Sequence, residues 1–196
     1  FVDTETFRPR EGAGLRAENG VGRDSLVVLC VAAVKRHHKR VDYLVQEVAQ
    51  FQQSVDRPIE LVVAGASTGQ TEPVMSEARE VLGDNVHFLL DQARERMPDI
   101  YGLGDVFALC SLKEMMPIAL LEACACGLPC LVSTHPVVNW MAGPGGEAVE
   151  MEKDGALASA LQKYLDEEYR RQKGRAARRH AVENFSKEAI VGQYLD

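Results

Sequence analysis

The chain has 196 residues, 46% hydrophobic and 26% charged, enough apolar material for one globular domain with a sizeable core. Its formal net charge of −7 excludes a module that holds nucleic acid through a broadly basic surface. The longest apolar runs, such as "SLVVLCVAAV" at 25–34, are too short to span a bilayer.

Residues 1–24 carry Pro9, four glycines and scattered charge with little periodicity. The segment lacks a charged and apolar leader pattern and begins with Phe1, so it reads as an entry or linker segment inside a longer polypeptide. From residue 25 onward, short β-rich runs alternate with longer amphipathic ones. The strand candidates are 25–34, "IELVVAG" (59–65), "VHFLL" (86–90), "VFALC" (106–110), "PCLVST" (129–134) and, more weakly, "EAVEM" (147–151). They are continuously apolar, as strands buried on both faces of a parallel sheet are. Helices are predicted at about 40–54, 71–82, 95–104 and 117–126. Pro98 and Pro117 suit first turns, and Gly83 and Gly127 suit helix ends. Residues 154–195 are helical in pattern with a break near "NFS" (184–186), where Ser186 can cap a terminal helix. The basic stretch "RRQKGRAARRH" (170–180) reads as a solvated helix face. Cys30, Cys110, Cys124, Cys126 and Cys130 are odd in number and mostly inside apolar runs, which fits reduced core thiols. No further ligands accompany the Cys124 and Cys126 pair at metal-binding spacing, so no metal site is expected. The alternation as a whole implies an α/β fold: a Rossmann-like, doubly wound parallel sheet of about six strands, helices on both faces and a helical C-terminal tail.

In such a sheet ligands bind beyond the carboxyl ends of the strands. The loops at 34–41, 65–71, 90–97, 110–117 and 133–146 are therefore where chemistry is expected. The loop after 106–110 leads into "SLKEMMPIALLEACACGLPC" (111–130), with Glu114 before the helix and Glu122 in its second turn. Were both helical, about 12 Å of axis would separate them, which suits a long ligand rather than two acids at one bond. Between them, first-turn amides at Met116, Ile118 and Ala119 could face an anion, helped by the helix dipole. Two readings stay open on spacing alone: an acid–phosphate–acid site for a nucleoside diphosphate sugar, or an amphipathic core helix with Glu122 solvated. Lys35, Arg36, Lys39 and Arg40, with His37 and His38, concentrate positive charge after the first strand and could neutralise a diphosphate leaving group. "VVAGASTGQTE" (62–72) lacks a full glycine fingerprint or a Walker lysine, and His135 in the 133–146 loop is a candidate pocket residue.

"EMMPIALLEACACGLPCLVS" resembles the Glu-x7-Glu signature of retaining glycosyltransferases of the GT-B fold, group 1 (family 4). "VDTETFRP", "DIYGLGDVFALCSL" and "HAVENFSKEAIVGQYLD" resemble the linker, pre-signature and closing segments of the same family, so the likeness runs nearly end to end. The resemblance implies a C-terminal, donor-binding half: 1–24 as interdomain linker, 25–173 as the nucleotide-sugar-binding domain, and 174–196 as helices returning toward an N-terminal acceptor domain of the same polypeptide. It implies that Glu114 contacts donor-sugar hydroxyls and Glu122 the ribose hydroxyls. The backbone of Met116, Pro117 and Ile118 would hold the diphosphate, and Lys39 would match the lysine of a catalytic basic pair. Ala33 stands where that pair usually has arginine, with Lys35 and Arg36 as substitutes nearby. Met115 and Met116 replace the usual Gly-Phe, which disfavours a turn needing positive φ at 115. No cofactor and no metal are implied, the nucleoside diphosphate sugar being substrate. The full-length enzyme is expected in the cytoplasm, with peripheral association at the inner membrane face allowed, and the isolated half is expected to be inactive. The alternative is a nucleotide-sugar-binding or scaffold domain without transferase activity. A nucleotide-sugar epimerase fits less well, because the linker and "NFSKEAI" resemble the transferases.

Overall fold

A computed structural model describes residues 1–10 and 12–195. Among these, β1 (Leu26–Val31), β2 (Ile59–Gly65), β3 (Val86–Leu90), β4 (Val106–Leu109), β5 (Cys130–Ser133) and β6 (Gly146–Val149) form one sheet in the order β3-β2-β1-β4-β5-β6. Every pairing is parallel, with Leu26 opposite Ile59 and Val28 opposite Val106. Around it lie α1 (Ala13–Glu18), α2 (Val41–Gln53), α3 (Thr71–Leu82), α4 (Met97–Tyr101), α5 (Ile118–Ala125), α6 (Pro136–Ala142), α7 (Ala156–Leu161), α8 (Glu167–Phe185) and α9 (Lys187–Leu195). The expected Rossmann-like architecture is what forms.

Successive strand residues point to opposite faces, so β1 feeds two cores. Leu26, Val28 and Cys30 pack with Leu44 and Val48 of α2, Val74 of α3 and Leu157 of α7. Val27 and Leu29 pack with Ile100 and Tyr101 of α4, Leu120 and Cys124 of α5, and Ala177 of α8. Both sets are almost fully buried, which is why the strands read as unbroken apolar runs. All five cysteines are free and buried in these cores, and burial pushes the Cys30 thiol up to about 12.

Gly127 ends α5 as expected: at φ 78° it donates to Cys124 O, while Leu128 N reaches back to Ala123 O, a Schellman closure. Ser186 caps α9 through Ala189 N at 3.1 Å. Pro117 sits one residue earlier than expected, at the cap, and the helix starts at Ile118. Three differences have local causes. Residues 1–24, expected to lack regular structure, contain α1, docked where Arg16 donates to Leu103 O and pairs with Asp105 at 2.9 Å. The 133–146 segment, read as a loop, contains α6, with Pro136 at its first position and Gly143 (φ 55°) closing it. Finally, α8 runs unbroken across residues 173 and 174, and its basic stretch is only partly solvated. Arg170 is 9% exposed and donates to Tyr164 O, and Arg178 ties down Thr4 O, Phe7 O and Ala125 O.

Gly65 shows how tightly the strand ends are packed. A Cβ there would stand 2.0 Å from Ala32 O, so only glycine lets the loop after β1 pass over the end of β2.

Two buried acids hold the layers in register. Glu47 of α2, 2% exposed, accepts Gly155 N (2.6 Å), Leu157 N (2.8 Å) and Ala158 N (3.0 Å), which caps α7 from a neighbouring helix. Glu47→Ala strands those amides and is expected to cost about 2–4 kcal/mol, measured by urea unfolding. Glu60, at the amino ends of β1–β3, meets opposing influences. Burial raises its pKa, but Ser25 Oγ (2.5 Å), Gly22 N (2.7 Å) and His87 Nε2 (2.6 Å) outweigh it and hold the carboxyl below its usual range. A depressed folded-state pKa contributes stability above about pH 4.3, the unfolded value, and loses it as pH falls through the folded one. Glu60→Gln is therefore expected to flatten the acid limb of the stability–pH curve, and an unchanged acid limb in urea titrations would count against this role.

Candidate functional site

The chain runs from β1 outward to β2 and β3, then returns to place β4 on the other side of β1. Loops leaving β1 and β4 consequently diverge at their carboxyl ends, which opens a crevice there. Residues 32–40 and 110–117 form its two walls. A cleft of ≈ 710 Å³ lies over them, lined by His38, Leu112, Lys113, Glu114, Met115, Met116 and His135.

The walls are joined. Lys39 Nζ meets Glu114 Oε1 at 2.5 Å, with side chains 19% and 8% exposed, so this is a sheltered ion pair rather than a solvated surface one. His38 Nε2 lies 3.0 Å from Lys113 O. The β1 loop reaches this shape through two left-handed residues, His38 (φ 71°) and Arg40 (φ 53°). Asp91 (φ 50°), after β3, is the third non-glycine residue with positive φ among those described, and all three lie on the crevice side. Met115 is not among them, so the two methionines are accommodated without the turn that glycine would favour. Their side chains project instead: Met115 is 91% exposed, beside Met116 and Ile118.

At the start of α5 the amides of Ile118 and Ala119 have no backbone acceptor among the described residues, and they lie at the positive end of the helix dipole, two to three residues after the cleft-lining Met116. Glu122 lies one turn further on and is 2% exposed, so the solvated-edge reading of this residue does not hold. Its carboxylate takes Arg94 Nη2 on one oxygen and Tyr101 Oη on the other at 2.8 Å. The Glu122 hydrogen bond raises the Arg94 pKa, and burial, reinforced by the Glu122 charge, raises that of Tyr101. Arg94 also lies over the Phe7 ring at 4.8 Å.

The remaining basic residues divide. Arg36 turns away to Glu77 of α3 and to Asp42 of α2 at 3.8 Å. Arg40 donates to Met151 O at 2.5 Å and stacks on Tyr43, which ties down the start of α2. Lys35 is half-buried and has no carboxylate partner among the described residues. Thus Lys39 and Glu114 meet across the crevice, Glu114 and Met116 line its cleft, Pro117 and Ile118 open the helix that follows, Glu122 is buried one turn further on against Arg94 and Tyr101, and Arg36 is occupied elsewhere. His135 lines the cleft, its turn clamped by Asn139 Nδ2 on Ser133 O and His135 O at 3.0 Å, and its Nδ1 is buried without a partner. Arg94 and Tyr101 are not singled out by the sequence. The rule of strand carboxyl ends selects the 90–97 loop, but nothing in spacing shows that Arg94 crosses to α5.

A family profile described as "Glycosyl transferases group 1" matches residues 14–180. The chain belongs to that family. It is 29% identical over 197 residues to an N-acetyl-alpha-D-glucosaminyl L-malate synthase from Bacillus anthracis, a match covering 99% of this chain and 50% of that protein. It therefore spans about half the length of this curated relative. Among solved structures, sucrose-phosphate synthase from Thermosynechococcus elongatus superposes with a TM-score of 0.83 at 27% identity, over 98% of this chain and 49% of that one. The C-terminal domain of a group 1 glycosyl transferase (LpcC) from Francisella tularensis shares the fold end to end, with a TM-score of 0.80 at 16% identity, covering 95% of this chain and 100% of that domain. No helix among the described residues is long and apolar enough to cross a membrane.

Removing only the phenol oxygen at the buried carboxylate tests how far the site rests on it. Tyr101→Phe is expected to lower stability by about 1–2 kcal/mol in urea unfolding, because Glu122 keeps its burial and loses a donor.

Proposed function

We propose that this chain is the donor-binding half of a retaining, metal-independent glycosyltransferase that moves a sugar from a nucleoside diphosphate sugar to an acceptor held by a second, N-terminal domain. The observation that carries this reading is the Lys39–Glu114 contact across the β1–β4 crevice, beside the open amides of α5. A nucleoside diphosphate sugar has hydroxyls at both ends and two phosphates between them. Along the β4 loop and α5 the chain carries a carboxylate at Glu114 with the Lys39 cation beside it, then a helix start, then a second carboxylate at Glu122, in the same order. Glu114 accepts from sugar hydroxyls, Lys39 and the amides of Ile118 and Ala119 take the diphosphate with the backbone at Met116 and Pro117, and Glu122 accepts from the ribose.

The chemistry assigned to these residues is electrostatic. As the anomeric carbon–oxygen bond breaks, negative charge grows on the departing diphosphate. Fixed positive ends already aimed at it lower the barrier without a metal ion. Lys39 fills that role, and Lys35 is the second cation within the same loop. Departure and attack on one face of the sugar preserve the anomeric configuration.

A second reading, a nucleotide-sugar-binding domain without transfer, is favoured by one observation: Ala33 stands where the family pattern has arginine, and Arg36 is committed to Glu77 and Asp42. Full-length protein separates the two. For an enzyme, Glu114→Ala and Lys39→Ala each reduce turnover by about a hundredfold or more, chelator leaves the rate unchanged, and the product keeps the donor's anomeric configuration by NMR. Unaltered turnover in Glu114→Ala would sink the enzymatic assignment. Donor binding without turnover in the unaltered protein would establish the second reading.

A further inference from the structure

A carboxylate at position 122 is costly. Leu120, Leu121 and Ala123 beside it are fully buried, and an apolar residue in its place would pack without a desolvation penalty. An acid placed there needs polar partners on both oxygens, and its surroundings show how it is held.

An ionised carboxylate has about four lone-pair sites. One oxygen of Glu122 is taken by Arg94 and the other by Tyr101. Tyr101 is itself immobile: it is fully buried between Phe7 (ring centroids 5.8 Å apart) and Phe107 (6.2 Å). Its hydroxyl also lies 3.1 Å from Ala119 O, but its single proton is drawn to the charged acceptor. Arg94 differs. Its side chain is 61% exposed, while that of Glu122 is 3% exposed, so of the two donors Arg94 is the one on the solvent side. With one donor on each oxygen, the carboxylate cannot rotate, and one acceptor site per oxygen is left. Two acceptor sites in a fixed plane match a vicinal diol.

We propose that Arg94 is a positioning residue: with Tyr101 it supplies the counter-charge and orientation that make Glu122 an acceptor for the two ribose hydroxyls. The proposal rests on the donor-site reading above and adds to it a residue from the β3 loop. Arg94 acts through Glu122, and the Phe7 ring beneath it limits its swing. Its removal leaves a buried carboxylate unpaired, free to turn and poorly disposed to a neutral diol.

Calorimetric titration of the chain with uridine, guanosine and adenosine diphosphates, and with the 2′,3′-dideoxy form of the tightest binder, tests this. The unaltered chain is expected to prefer the ribonucleotide by about tenfold or more, and Glu122→Gln to lose that preference. Arg94→Gln should weaken ribonucleotide binding by about tenfold and leave the dideoxy affinity unchanged, while Arg94→Lys, which keeps the charge, should recover part of the loss. Urea curves that show Arg94→Gln still folded under the titration conditions, at whatever lower midpoint, exclude unfolding as the cause, and Arg94→Lys provides a folded comparison should Arg94→Gln unfold. If Arg94→Gln keeps the full preference that Glu122→Gln loses, or binds the ribonucleotide more tightly, the positioning role is overturned while the donor site stands. If the unaltered chain binds no nucleotide, or binds ribo and dideoxy forms equally, the ribose reading fails and takes this inference with it.

Discussion

The sheltered pair between Lys39 and Glu114 is the contact around which the rest of the crevice is arranged. It exists because the strand order reverses between β1 and β4, so two loops that are 75 residues apart in sequence meet at adjacent strand ends. A cation and an anion so placed hold the walls in register and leave a polar crevice where an apolar sheet would otherwise end. The left-handed residues His38 and Arg40 belong to the same arrangement. Their backbone strain is borne where the β1 loop must double back to present Lys39, and Arg40 helps offset it by gripping Met151 O and Tyr43.

The core underneath makes this arrangement rigid. Each fully buried leucine or isoleucine of the strands contributes roughly 1.5–3 kcal/mol, so the two apolar layers far outweigh any single polar contact. The polar contacts have a different effect. Glu47 and Glu60 lock α7 and the amino ends of β1–β3, and Arg178 ties the first residues of the chain to the end of α5. Because α5 is anchored at its far end by Gly127 and Arg178, its free start, with Pro117 and the open amides, keeps a constant place above the sheet.

Much of this was legible beforehand. Runs such as "SLVVLCVAAV" and "IELVVAG" report burial on both faces, which only a covered parallel sheet supplies, and the strand count and helix intervals follow from them. Gly127 and Ser186 mark helix ends because their roles are local backbone chemistry. The helices α1 and α6 were less legible. Six and seven residues long, they lack the periodicity that a longer helix displays, and α1 is held by Arg16 reaching residues some 90 positions away. In α6, proline at the first position and glycine after the last were present, and the glycine-rich flank masked them.

At the site the division follows the range of the interactions. Glu114, Pro117 and Glu122 stand on one continuous strand–loop–helix segment, so their order and spacing are written into the chain. Whether Glu122 is solvated or buried is not, because its exposure depends on what α4 and the β3 loop lay over it. Arg94 and Tyr101 do so, 28 and 21 residues away in sequence. Likewise, residues 35–40 announce a positive cluster, yet the partners that separate Lys39 from Arg36 and Arg40 come from α2, α3 and the loops after β4 and β6. Local chemistry and periodicity specify the elements and the identity of the acids. Which charges face one another is set by strand order, since electrostatic pairing acts through space and not along the chain.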